Sequence, residues 1–84
     1  MNQEIIARGQ NAKRVLDMPE FKSLTEEVQT ELFGQFRKTN VNDRSEREEI
    51  HRVIYACDLF VARLEKYVSQ AETEIAMANQ VPDA

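Results

Sequence analysis

The chain has very little with which to turn or to cross-link. Two glycines and two prolines among 84 residues, and no tryptophan, leave too few turn formers for a many-stranded sheet. One cysteine excludes an internal disulfide, and one cysteine with one histidine cannot furnish a zinc site within one chain, so a reducing compartment is expected. No apolar run approaches the roughly 18–20 residues of a membrane span, and residues 1–16 are too polar for a signal peptide; no membrane partner is expected. Positive charge is also scarce. Eleven bases face fifteen acids, a net charge of −4. Seven bases balance seven acids in the first 44 residues, whereas from Ser45 onward four bases face eight acids, so the C-terminal half would repel a phosphate backbone. Nucleic acid is therefore not an expected partner. The small basic groups Lys13-Arg14, Arg37-Lys38 and Arg44 read as favourable charge at helix C-termini.

What is present is apolar side chains at helical spacing, 42% of the residues beside 31% charged ones. The spacing predicts an all-α protein: an antiparallel helical hairpin with a long C-terminal helix and an additional N-terminal helix. The helices are expected at about 3–16, 19–37 and 44–78, in one domain, with residues 79–84 frayed. In the first, Ile5, Ala12, Val15 and Leu16 make a narrow stripe, and Gly9 costs about 1 kcal/mol relative to alanine. Pro19 opens the second, with Asp17 and Glu20 spaced as a capping box. Phe21, Leu24, Val28, Leu32, Phe33 and Phe36 form its apolar face. Asp43 and Glu46 repeat the capping signature at the start of the third.

The third helix, about 52 Å long, carries Ile50, Ile54, Cys57, Val61, Leu64, Val68, Ala71, Ile75 and Ala78 at alternating steps of four and three, a coiled-coil seam. Val53, Phe60 and Tyr67 add a second row. The second helix, about 30 Å, reaches back along only half of this length. Phe60, Leu64, Tyr67, Val68 and Ile75 are thus expected to stay partly uncovered in a monomer and to drive self-association. On the opposite side Tyr55, Leu59 and Ala62 stand where an isolated hairpin would show polar residues, and form a candidate patch for contact with another subunit.

Nothing points to catalysis. Glu48 and His51 have the Glu-x-x-His spacing of di-iron helical proteins, but both fall at least about 100° from the seam residue Ile50 and are expected to face water, with Glu48 pairing with Arg52. Cys57 lies on the seam, with no histidine on its face and no helix terminus nearby to activate a thiolate. No enzyme, cofactor or metal site is expected.

Over about residues 12–69 the chain resembles a group of small, mostly uncharacterised helical proteins of tailed bacteriophages and prophages. The features that carry the resemblance are Leu16, Pro19-Glu20-Phe21, Phe36 with Thr39, Asp43, Arg47-Glu48 and the apolar run from Ile50 to Val68. The group usually has Trp in place of Phe36, Pro in place of Asn40 and Gly-Lys in place of Ala71-Glu72. The resemblance implies a phage origin and a non-enzymatic role in virion structure or assembly, located in the host cytoplasm or the virion. A small phage regulator that binds and blocks a host protein is the alternative.

Overall fold

The computed structural model describes residues 2–80. It contains three helices, α1 (Gln3–Leu16), α2 (Pro19–Lys38) and α3 (Arg44–Ala78), and no strand among the described residues. Each boundary has a local cause. Asn2 caps α1, its side-chain oxygen accepting from the Glu4 and Ile5 amides at 3.0 and 3.2 Å. Pro19 supplies the first residue of α2, where its missing amide costs nothing. Asp43 caps α3 by accepting from the Glu46 amide at 3.3 Å. Asp17 behaves differently from the capping box expected of it. It ends α1, its amide donating to the Lys13 carbonyl and the Met18 amide to the Val15 carbonyl, and Met18, which has no capping side chain, occupies the N-cap of α2. With proline already at the first position, α2 has one fewer amide to satisfy, and the chain spends Asp17 on closing the preceding helix. Beyond α3, the Asn79 amide still reaches Ile75 and the Gln80 amide reaches Met77, so the expected fraying does not begin at Asn79; its remainder, 81–84, lies outside the described residues.

α3 is the axis against which both other helices lie. The Asn2 amide donates to Glu74 Oε1 at 2.7 Å, and Arg8 reaches Gln70 and Tyr67. Gln29 then donates to Asp58 at 3.2 Å, and Phe36 meets Arg47. Partner numbers on α3 fall as the chain advances, so α1 and then α2 run opposite to α3, one after the other. Their lengths, about 21 and 30 Å, together match the 52 Å of α3. The result is a rod of 68 × 25 × 18 Å with a radius of gyration of 18.6 Å, against about 12 Å for a compact chain of this length.

The two halves of the rod are packed unequally. Ile6, Gly9 and Ala12 of α1 and Ala71 of α3 are buried, whereas α2 buries no residue. The distal half of α3, expected from the sequence to lie open, is therefore the better covered half. Gly9 is the reason. A Cβ there would lie 2.6 Å from the Tyr67 carbonyl oxygen and closer still to the Ala71 Cβ. The glycine that weakens α1 as an isolated helix lets its backbone settle directly on α3. Arg8 closes the edge, donating to Gln70 at 2.9 Å with its guanidinium 4.1 Å from the centre of the Tyr67 ring.

Candidate functional site

In the proximal half α2 meets α3 along one edge and leaves a groove along the other. Phe21, Leu32 and Phe36 are half-buried, but so are Thr25 and Gln29, while Leu24 and Val28 are 59% and 44% exposed. The rotation of α2 that produces this has local support. The Thr25 hydroxyl donates to the Phe21 carbonyl at 2.7 Å and needs no water, and Gln29 finds Asp58. Leu24 and Val28 are then among the side chains turned away from α3. On α3 the seam residues Ile50, Ile54, Cys57 and Val61 are half-buried, while Val53 and Phe60 are 44% and 58% exposed. The groove between the two rows holds about 480 Å³ and is lined by Phe21, Leu24, Val28, Val53, Cys57 and Phe60 among others, almost all of the lining apolar.

Of the residues expected to drive self-association, Phe60 borders this groove. Leu64, Tyr67 and Val68 are half-buried on the distal half, where α1 lies, and Ile75 is 38% exposed. α1 lies along the distal seam, one of the two covers the sequence left open for it, and the more exposed apolar side chains of α3 fall in its N-terminal half. Leu24, Val28 and Val53 were not singled out by sequence reasoning. Their spacing assigned them to the face that joins α2 to α3, and only the turn of α2 about its own axis, which brings Thr25 and Gln29 to half-buried positions, reveals them as groove residues. On the far side of α3, Tyr55 is 60% exposed, Leu59 is 48% exposed and Ala62 is also exposed, so the candidate partner patch is accessible.

The polar candidates stay apart from the groove. Glu48 and His51 are exposed, and Glu48 lies 3.9 Å from Arg52, an open i,i+4 pair that adds little stability. Among the described residues no three potential ligands converge in a way that could hold a metal ion. Cys57 is half-buried and lines the groove. Arg47 lies over the Phe36 ring, 4.8 Å from its centre, and holds the end of α2 against the start of α3. The Glu46 carboxyl has its pKa raised from the ordinary value. A hydrogen bond with the Asp43 side chain raises its pKa, and the negative charges of Asp43 and Glu49 act in the same direction. Asp43 caps α3 at the Glu46 amide, and the two carboxyls are exposed.

Among the described residues no helix is long and apolar enough to cross a membrane. Neither a protein family, nor a curated protein, nor a solved structure matches the chain.

Proposed function

We propose that the chain is a non-enzymatic structural or assembly-associated protein of a tailed bacteriophage, acting in the host cytoplasm or the virion through helix-to-helix contacts. In this reading it is a helical hairpin whose first arm is broken at Asp17-Met18, and its working surfaces are apolar helix faces. The observation that carries the reading is the open groove between α2 and α3. A chain of this size leaves Leu24, Phe60 and Val53 in water beside one another, an arrangement that favours covering by another helix. The phage resemblance supplies the context. Mass spectrometry of purified particles tests it: a virion component is present in many copies, and its absence from particles and from their assembly intermediates would remove the proposal.

The alternative is a small regulator that binds and blocks a host protein. It is favoured by Tyr55 and Leu59, both about half exposed and one helical turn apart on the face of α3 away from the groove. Such a protein would be absent from particles, and Tyr55→Ala or Leu59→Ala would abolish its association with the host target.

A further inference from the structure

The exposed side of α3 carries a short seam that its length does not suggest. Glu49, Val53, Ala56, Phe60 and Arg63 follow one another at steps of four, three, four and three, and all five are exposed. They form a stripe within about 40° of a common line at 100° per residue. Its centre is apolar, its N-terminal end is an acid and its C-terminal end is a base. Farther along the same line comes Tyr67, which lies beneath Arg8 of α1. The stripe therefore stops where α1 begins. Leu24 and Val28 of α2 stand beside it and widen the apolar surface.

We propose that this stripe is the contact between two copies of the chain, with α3 packed antiparallel on the second copy's α3 about a two-fold axis at Ala56. The proposal rests on the reading of the protein as one that works through helix contacts, and specifies the partner as a second copy. Three features select this occupant and orientation. Reversing the seam about Ala56 sets Glu49 against the second copy's Arg63 and Arg63 against its Glu49, and brings each Val53 to the other's Phe60. The stripe is thus complementary to itself only when antiparallel; a parallel pairing would set acid against acid and base against base. Ala56, the smallest residue of the five, falls at the crossing point, where two helix backbones come closest. The antiparallel arrangement also carries each α1 away from the contact, whereas a parallel one would press the two α1 helices together along the distal halves.

The neighbouring charges and areas agree. Glu20, Glu27 and Glu31 are exposed along the outer edge of α2, so α2 stacked on a second α2 would be repelled and the contact centres on α3. Phe60 at 58% exposure, Leu24 at 59%, Val53 at 44% and Val28 at 44% offer several hundred Å² of apolar surface on each copy. Counted on both copies, these four side chains supply about two thirds of the roughly 1,200 Å² at which stable interfaces begin, with Glu49, Ala56 and Arg63 of each copy adding to them.

Light scattering of the full chain at micromolar concentrations tests the proposal, and a dimer mass is expected. Phe60→Glu should halve that mass while far-ultraviolet circular dichroism stays helical, because Phe60 is already more than half exposed. Arg63→Glu alone should raise the dissociation constant about tenfold by replacing two opposite-charge pairs with two like-charge pairs, and adding Glu49→Arg should restore it. Ala62→Glu, exposed and about 140° round α3 from the midline of the stripe, should leave the mass unchanged. A monomeric parent protein, a dimer indifferent to Phe60→Glu, or a double charge reversal that fails to restore assembly would each overturn the proposal. Absence from phage particles would remove the virion role while leaving the dimer standing.

Discussion

Gly9 of α1 rests on the turn of α3 that carries Ala71, with no room between them for even one more methyl group. A glycine in mid-helix ordinarily gains about 1 kcal/mol of stability on replacement by alanine. Here the sign reverses. Gly9→Ala should destabilise the protein by about 1–3 kcal/mol, the usual cost of overpacking, and lower its urea midpoint. Ala71→Gly in the same chain should recover only part of the loss, since the added Cβ would still meet the Tyr67 carbonyl oxygen.

Gly34 provides the matched control. A Cβ added there meets nothing within 4 Å, and its backbone has no positive φ. Gly34→Ala should therefore stabilise the protein by about 0.5–1 kcal/mol, read from the same urea curves. Equal effects at the two glycines would contradict the close approach of α1.

Opening of the backbone should follow packing and not helix length. α2 is the longer of the two covering helices, 20 residues against 14, yet it buries no residue while α1 buries Ile6, Gly9 and Ala12. Hydrogen exchange in the monomeric Phe60→Glu variant should show central α2 amides exchanging at least about tenfold faster than central α1 amides.

Asp43 and Glu46 should give a small pH dependence of known sign. Glu46 has a pKa raised above 4.5, so the native state binds its proton more tightly than the unfolded chain does. Its contribution to stability is complete below the ordinary value and is lost as pH rises through the raised native value. Asp43→Asn keeps a side-chain oxygen to accept from the Glu46 amide and removes the neighbouring charge. Carboxyl NMR titration of that variant should show Glu46 returning toward 4.5, and the slope of stability in this pH window should flatten.

Added iron or zinc should leave the melting temperature unchanged, because Glu48 and His51 are exposed and no third ligand joins them among the described residues. A rise in melting temperature that disappears with His51→Ala would show that this face does bind metal.

The all-helical character and the starts marked by Pro19 and Asp43 were legible because each is local: a missing amide, a capping oxygen, a run of apolar residues at helical steps. Gly9 was misleading because its cost belongs to the isolated helix and its benefit exists only against Ala71 and Tyr67, 58 and more residues away. The groove was hidden for a related reason. Leu24 and Val28 lie within the apolar arc of α2, and which part of that arc faces α3 is a tertiary matter, marked here by the Gln29 bond to the distant Asp58. Periodicity finds a face but does not say how far it is turned.

The end-to-end placement of α1 and α2 along α3 also governs how the molecule moves through solvent. A body 68 Å long and 25 by 18 Å across experiences more friction than a sphere of the same mass, so even a single copy should elute from a gel-filtration column ahead of globular standards of its own mass. Elution volume alone would thus overstate the mass of a monomer and blur its distinction from a dimer. Two copies joined antiparallel at Ala56 would overlap only in their proximal halves and be longer still, and small-angle scattering would register the change as an increase in maximum dimension.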